Sequence, residues 1–246
     1  MTTDMRHAVV ETLPDSEAVA LRMADLLIRG VEAKTDGPFR VALSGGSTPK
    51  RLFEILAKPS VAKLLPWDRI EIFYGDERHV PETHADSNHA VSNAVLISQV
   101  PIPAANVHPM PTSATVAEDA ISYQRTLQQA YGATILEPGR PLFDLVMLGL
   151  GTDGHTASLF PGEPVLSEKD AWVSTAAPKT APHERVTLTY PAIHSSALVV
   201  FLVTGASKVE MLRRLREGDP SIPSGNVTSE GRIIILADRA ATGDVA

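Results

Sequence analysis

An aspartate and a histidine two residues apart, Asp153 and His155, are the side chains best suited to carry out chemistry. They lie in a glycine-rich segment that follows the apolar run 143–148, whose pattern is typical of a buried parallel strand. Open α/β sheets bind their ligands beyond the carboxyl ends of such strands. A carboxylate beside an imidazole can orient it as a general base. Taken alone, His155 would be an ordinary polar loop residue about as often as a functional one. The combination of His155 with Asp153 and the three glycines favours a catalytic pair.

The glycines of the same segment also match the dinucleotide-binding pattern G-x-G-x-x-G over residues 149–154. That fingerprint needs a long helix directly after the glycines, so that the helix N-terminus faces the pyrophosphate. Pro161 and Pro164 interrupt the segment, and the acidic residues Glu168 and Asp170 come before the next apolar stretch. The sequence therefore argues against a nicotinamide or flavin site, and we expect no cofactor.

Strand and helix patterns alternate along the chain around this segment. Helical periodicity predicts helices at 15–34, 90–100, 118–131 and 207–217, and apolar runs predict strands at 40–43, 70–74, 143–148, 197–203 and 232–236. Another helix is expected to begin with Thr48 as its N-cap and Pro49 as its first residue. This alternation predicts a single α/β domain over residues 1–246, doubly wound around a mostly parallel sheet with helices on both faces.

Other polar residues follow the predicted strands and would meet along the same sheet edge as the Asp153–His155 pair. The loop 44–48 (Ser-Gly-Gly-Ser-Thr) leads into a helix N-terminus, where unpaired N–H groups favour an anion. A tight turn with capping residues is the alternative. Lys208 follows the strand 197–203 and could neutralise a phosphate, although an isolated lysine is more often a solvated surface charge.

The strand 70–74 is expected to lead into a loop that carries Asp76, Glu77 and Arg78. Two carboxylates could share proton transfer, but adjacent side chains usually point apart. We therefore favour one carboxylate that positions Arg78, which in turn is a second candidate for holding a phosphate.

Three histidines recur every five residues in the next segment, at His79, His84 and His89, with Asp86 between them. This invites a metal-site interpretation. The spacing does not stack the side chains on one helix face, however, as an i, i+4 pair would. The sequence therefore predicts no metal site.

The composition excludes several classes of function. A formal net charge of −7 argues against general nucleic-acid binding, so a phosphate site must be built from local cations and backbone N–H groups. The chain has no cysteine, which rules out thiolate ligands and cysteine nucleophiles. No apolar run approaches the ~20 residues that span a bilayer, and the N-terminus lacks a signal-peptide profile. We expect a cytoplasmic protein without a membrane or nucleic-acid partner.

Together, the motifs of this chain resemble the 6-phosphogluconolactonases, hydrolases of the oxidative pentose phosphate pathway within the glucosamine/galactosamine-6-phosphate isomerase superfamily. The resemblance runs from about residue 40 to 210, and the glycine-rich motif is the specific one. In chain order the motifs are 44–49 (SGGSTP), 76–81 (DERHVP) continuing to 86–88 (DSN), 149–161 (GLGTDGHTASLFP), 185–188 (RVTL) and 204–208 (TGASK).

The resemblance implies a sugar-phosphate isomerase-like fold and a cofactor-free hydrolysis of a small phosphosugar lactone. His155 would draw a proton from water, and Asp153 would orient the imidazole. The water would attack the lactone carbonyl, and the glycine-rich backbone or a nearby arginine would stabilise the oxyanion. Nothing demands more than a monomer. The substrate would be held by Ser44, Gly45, Gly46, Ser47, Thr48, Asp76, Arg78, Asn88, Gly151, Arg185 and Lys208, the division between phosphate and oxyanion being left open.

Two other functions remain as alternatives. The glucosamine-6-phosphate deaminases have a similar glycine-aspartate-glycine-histidine loop, but an Asn-Glu-Pro segment follows it. This chain has Ser-Leu-Phe-Pro at 158–161, and Arg78 replaces the aromatic residue of the deaminase pattern. A non-catalytic sugar-phosphate sensor is the other alternative. Such modules commonly carry a DNA-binding helix-turn-helix, and only about forty residues without a basic stretch precede the first motif.

Overall fold

A six-stranded sheet in which every neighbouring pair is parallel forms the centre of the molecule. The computed structural model describes residues 2–244. Its strands are β1 (Thr3–Asp4), β2 (Val9–Leu13), β3 (Phe39–Leu43), β4 (Ile70–Tyr74), β5 (Asp76–Arg78), β6 (Leu145–Gly149), β7 (Val173–Ala176), β8 (Arg185–Leu188), β9 (Leu198–Val203), β10 (Thr228–Ser229) and β11 (Arg232–Asp238). The central order is β2-β11-β9-β6-β3-β4, which confirms the predicted parallel α/β architecture.

All but the last of the helices lie between strands along the chain. They are α1 (Ser16–Ala33), α2 (Ser47–Leu56), α3 (Pro59–Ala62), α4 (Asn88–Val95), α5 (Val116–Tyr131), α6 (Tyr190–His194), α7 (Val209–Arg216) and α8 (Arg239–Thr242). The N-cap of α1 is Asp15, since its carboxylate accepts the N–H of Ala18 at 2.8 Å. The predicted helices 90–100 and 207–217 are shorter α-helices, α4 and α7, flanked by 3₁₀ turns.

The prediction that Thr48 caps α2 was wrong. The helix begins at Ser47, and its N-cap is Gly46 with φ = +114°. Glycine adopts that backbone conformation without a Cβ clash, so the chain can turn sharply out of β3 and into the helix. This early turn places the first N–H groups of α2 directly beyond the end of the strand.

A second, three-stranded antiparallel sheet, in the order β5-β8-β7, stands next to the central one. The expectation that Asp76, Glu77 and Arg78 form a loop was therefore wrong, since these residues are β5. Gly75 links the two sheets: its N–H donates to Leu43 O at 2.8 Å, and its carbonyl accepts the N–H of Leu188 at 2.9 Å. Asp76, Glu77 and Arg78, which follow the central strand β4, are thus held in a hydrogen-bonded strand rather than in a loop.

The core consists of the central strands and the helix faces packed on them. Strands β6 and β9 are apolar and almost fully buried, as parallel strands covered on two faces must be. Helices α1 and α2 pack against one another, and α5 packs against β7 and β8 of the second sheet. Over residues 2–244, no helix has both the length and the apolar character to cross a membrane.

Candidate active site

A cavity of about 500 Å³ opens where the carboxyl ends of the central strands meet the antiparallel sheet. Central strands β3, β6 and β9 are each followed by residues that line it: residues 44–46, residues 150–152 together with 155–158, and Lys208. The antiparallel sheet contributes Arg78 from β5 and Arg185 from β8. The convergence of these segments follows from the parallel topology, which sends every β-to-α loop to the same edge.

His155 and Asp153 form a hydrogen-bonded pair beside this cavity. Nδ1 of His155 lies 2.6 Å from Oδ1 of Asp153, and the same oxygen accepts the backbone N–H of His155 at 3.1 Å. The Phe160 ring stacks on the imidazole, with 4.3 Å between ring centroids. A carboxylate can only accept, so we assign the proton to Nδ1, which leaves the Nε2 lone pair free to receive a proton.

Two opposing effects set the charge state of Asp153. Partial burial acts to raise the pKa of its carboxyl, but the hydrogen bonds from the His155 backbone and side chain outweigh it, so the pKa falls below its ordinary value. Asp153 is therefore ionised at neutral pH. An ionised partner both fixes the orientation of the imidazole and favours its protonated form during a reaction.

The loop that carries this pair depends on Gly151. A Cβ at this position would lie 2.1 Å from Nδ1 of His155 and 2.6 Å from Oδ1 of Asp153, far inside van der Waals contact. The Gly151 N–H also donates to the carbonyl of His155 at 2.8 Å, which closes the turn. The glycine leaves space for the histidine to fold back onto its own loop, where it meets the aspartate.

Arg78 and Arg185 are direct cross-strand partners in the β5-β8 ladder. Like charges at opposed positions are destabilising in a sheet, and Arg185 is only 6% exposed. Burial lowers the pKa of Arg185, which Asp76 opposes. One Nη atom of Arg185 donates to the carbonyl of Pro182 at 2.8 Å, whereas its buried Nε has no partner among the residues that the structure describes. An anion in the cavity would reduce both the repulsion between the two arginines and the cost of leaving Nε of Arg185 unpaired.

The loop 44–48 divides between the cavity wall and the layer behind it. Ser44, Gly45 and Gly46 line the cavity, whereas Ser47 is exposed elsewhere and Thr48 is buried. The hydroxyl of Thr48 hydrogen-bonds that of Thr204 at 2.9 Å, which ties the start of α2 to the segment leading to Lys208. Thr48 thus supports the cavity wall.

The cation at the end of this segment, Lys208, lines the cavity. Burial lowers the pKa of its ammonium group, an effect that the negative charge of Asp153 opposes. Lys208 is therefore close enough to the histidine–aspartate pair for their charges to interact. It adds a third cation to the two arginines around the same cavity.

Asn88 is fitted closely against the glycine loop. A Cβ on Gly45 would lie 2.0 Å from Oδ1 of Asn88, so only glycine allows this approach. The Asn88 amide donates to the carbonyl of Asp76 at 2.9 Å, and the carboxylate of Asp76 accepts the hydroxyl of Ser158 at 2.6 Å. These bonds join three segments of the cavity wall into one network.

Glu77 positions backbone rather than the guanidinium of Arg78. Its buried carboxylate accepts the N–H groups of Arg78, Asn88 and His89 at 2.7–2.8 Å and the hydroxyl of Ser87 at 3.0 Å. Burial raises the pKa of Glu77, while these four donors act in the opposite direction. Glu77 thus anchors the N-terminus of α4 to β5, which is a structural role.

The three evenly spaced histidines do not converge. His79 pairs with Asp119 at 2.8 Å, and His89 hydrogen-bonds the hydroxyl of Tyr74 at 2.9 Å. His84 instead lies near Asp86 and His183.

Some cavity residues were not found from the sequence, namely Asp86, Ser158, Phe160 and His183. Ser158 and Phe160 belong to the specific glycine-rich motif and could have been included. Asp86 adjoins Asn88 in the second motif, whereas nothing local distinguishes His183.

Comparison with known proteins places these features in a family. A family model described as glucosamine-6-phosphate isomerases/6-phosphogluconolactonase matches residues 14–235. A 6-phosphogluconolactonase of Nostoc sp. is 38% identical over 96% of this chain and 98% of its own, and one of Synechocystis sp. is 43% identical over 83% and 84%. The structure of a 6-phosphogluconolactonase from Thermotoga maritima is similar with a TM-score of 0.80, at 31% identity over 94% of this chain and 99% of its own.

Proposed function

The chain belongs to the family of glucosamine-6-phosphate isomerases and 6-phosphogluconolactonases, and we propose that it hydrolyses 6-phosphoglucono-1,5-lactone to 6-phosphogluconate. The observation that carries this proposal is the meeting of the His155–Asp153 pair with three cations, Arg78, Arg185 and Lys208, around one cavity. A base and a set of anion-binding groups are what an anionic, already activated ester requires. The names of the relatives support the same reaction.

In the proposed reaction, Nε2 of His155 takes a proton from a water molecule as that water attacks the lactone carbonyl. Asp153 holds the imidazole through Nδ1 and offsets the positive charge that the ring gains. The carbonyl oxygen becomes an oxyanion, which needs donors already in place. The proton on His155 is then delivered to the ring oxygen as the C–O bond breaks, so the enzyme returns to its starting state and no serine nucleophile is needed.

The phosphate group is proposed to bind among the cations and the segment 44–46, which lines the cavity and leads into the N-terminus of α2. Kinetic measurements can show which of Arg78, Arg185 and Lys208 bind the phosphate and which stabilise the oxyanion. A cation that holds the phosphate chiefly raises KM when it is replaced, because it binds ground state and transition state alike. A cation at the oxyanion instead lowers kcat. Single replacements by methionine separate the two roles.

The test of the reaction is proton release in a pH-stat after addition of fresh 6-phosphoglucono-δ-lactone, with a blank that lacks enzyme. We expect release well above the blank for the wild type and a kcat at least ~100-fold lower for His155→Ala. Release no faster than the blank would refute the lactonase proposal. Ammonia production from glucosamine 6-phosphate would point to the deaminase, and binding of 6-phosphogluconate without turnover to the sensor.

Three further expectations belong to this proposal. A single catalytic domain and a monomeric state agree with a cavity formed within one chain, and both stay predictions. A cytoplasmic location likewise stays a prediction.

A further inference from the structure

His84, Asp86 and His183 bring three potential metal ligands together at the edge of the cavity, which Asp86 and His183 line. One nitrogen or oxygen atom from each lies within 4.8 Å of the other two. Nε2 of His183 is 3.1 Å from Oδ2 of Asp86, and Nδ1 of His84 is 3.9 Å from the same oxygen. The two imidazole rings meet edge to face, with 5.5 Å between their centroids.

Two of the three separations are close to those of an occupied site. Tetrahedral zinc with bonds of about 2.0–2.1 Å keeps its ligand atoms about 3.3 Å apart. The His183–Asp86 distance already matches this spacing. The His84–Asp86 distance is longer, but a rotation of either side chain is enough to close the difference. All three side chains are partly exposed, with 29% of His183, 43% of His84 and 53% of Asp86 accessible, so an ion can reach them from solvent.

We propose that His84, Asp86 and His183 bind one divalent cation of the zinc class, with a fourth position open to water. Two imidazoles and one carboxylate suit Zn²⁺, Co²⁺ or Ni²⁺, whereas Mg²⁺ and Ca²⁺ prefer oxygen ligands. The chain has no cysteine, so no thiolate within it competes for such an ion.

The bound ion would join two segments that are far apart in the sequence. His84 and Asp86 lie between β5 and α4, and His183 lies just before β8. The backbone of His183 has φ = +69°, an uncommon conformation for a residue with a Cβ. This conformation carries its imidazole beside Asp86. Metal binding would thereby fix the segment before Arg185 against the segment after Arg78.

A nearby positive charge limits the affinity. Arg78 donates through Nη1 to the backbone carbonyl of Asp86 at 2.5 Å, so its guanidinium stands beside the proposed ion. His84 must also exchange the N–H of Asp86, which it accepts at 3.1 Å, for the metal. The site is consequently one that fills and empties with the supply of metal.

The test is titration of the untagged, metal-stripped chain with ZnCl₂ by isothermal calorimetry, and with CoCl₂ by visible absorption. We expect one equivalent of metal per chain and the visible absorption bands of low-symmetry Co²⁺. His183→Ala and Asp86→Ala should each weaken binding at least ~10-fold, which is a lower bound because even partners that only orient ligands contribute that much. Unchanged thermal unfolding without metal would verify that these variants are folded.

Two control variants separate this site from the other exposed histidine–aspartate pairs. His7→Ala removes a pair with Asp4 at 2.9 Å, and His155→Ala removes the pair with Asp153. Both should bind Zn²⁺ as the wild type does. The proposal is overturned if the wild type binds no equivalent of Zn²⁺, if His183→Ala binds it as tightly as the wild type, or if a tenfold excess of Mg²⁺ displaces it. Because these readouts do not involve lactone hydrolysis, they stand apart from the proposed function.

Discussion

Replacement of Gly151 by alanine tests whether the orientation of the histidine–aspartate pair matters. The added methyl carbon would lie 2.1 Å from Nδ1 of His155 and 2.6 Å from Oδ1 of Asp153. Ordinary contact begins near 3.4 Å, so the imidazole has to move by about 1 Å, and a displacement of that size in a catalytic geometry costs ~100-fold in rate. The 2.6 Å hydrogen bond of the pair would also be broken or bent.

The loss should appear in turnover rather than in stability. Both side chains of the pair are partly exposed, 32% for His155 and 38% for Asp153, so the loop can deform without opening the core. We expect Gly151→Ala to lower kcat by ~100-fold in the lactone pH-stat assay, close to the effect of removing the base altogether. The midpoint of thermal unfolding should shift by only a few degrees.

A matched control comes from the same glycine-rich motif, at Gly149, the last residue of β6. A Cβ on Gly149 would meet only Oγ of Ser44, at 4.0 Å, which is ordinary contact. Gly149→Ala should therefore lose far less kcat than Gly151→Ala. If Gly151→Ala retained a kcat within threefold of the wild type, the inferred role of the His155–Asp153 geometry would be refuted. Equal losses in both variants would show that any added methyl group in this motif is harmful, which would also contradict the argument.

Three other replacements probe the supporting contacts. Gly45→Ala should raise KM at least ~10-fold with little change in kcat, because its Cβ would lie 2.0 Å from the amide oxygen of Asn88. Glu77→Gln should destabilise the fold by about 2–3 kcal/mol in urea denaturation, since an amide cannot accept four hydrogen bonds, whereas the exposed Glu82→Gln should be neutral. Hydrogen bonds from His155 hold the pKa of the Asp153 carboxyl below its ordinary value. This carboxylate therefore stays ionised as the pH falls and becomes protonated only below the usual pH range of an aspartate. Asp153→Asn should accordingly lower kcat by ~10-fold or more at every pH from 5 to 9, and a loss limited to part of that range would contradict an ionised partner.

The architecture could be predicted because the strands of a parallel sheet are buried on both faces. Predominantly apolar runs at 40–43, 70–74 and 197–203 identified β3, β4 and β9 to within a residue or so at either end. The antiparallel sheet could not be predicted in the same way. Its strand β5 consists of three polar residues, and what makes it a strand is pairing with β8, over a hundred residues later. Tertiary contact, rather than local preference, decided this element.

The candidate site likewise contains residues that the sequence could identify and residues that it could not. Residues that follow apolar strands were found, because topology alone brings such residues to one edge. The fine assignments depended on backbone turns that side-chain types do not reveal. Thr48 was expected to cap a helix, but the positive φ of Gly46 starts the helix earlier and turns Thr48 toward Thr204. His183 was missed because its place beside Asp86 depends on a left-handed backbone conformation.

The pairing of Arg78 with Arg185 indicates why this fold needs its second sheet. A phosphate site in a chain of net charge −7 must create a local positive field against the overall one. Loops could supply cations, but flexible arginines would turn toward the abundant carboxylates and neutralise themselves. The β5–β8 ladder limits this freedom, because its register sets the backbones of the two arginines opposite one another, and the Nε of Arg185 is buried and unpaired within the described chain. Under the proposed function, the cost of holding the two arginines together is met during folding, and an anionic substrate that entered the cavity would recover it as binding energy.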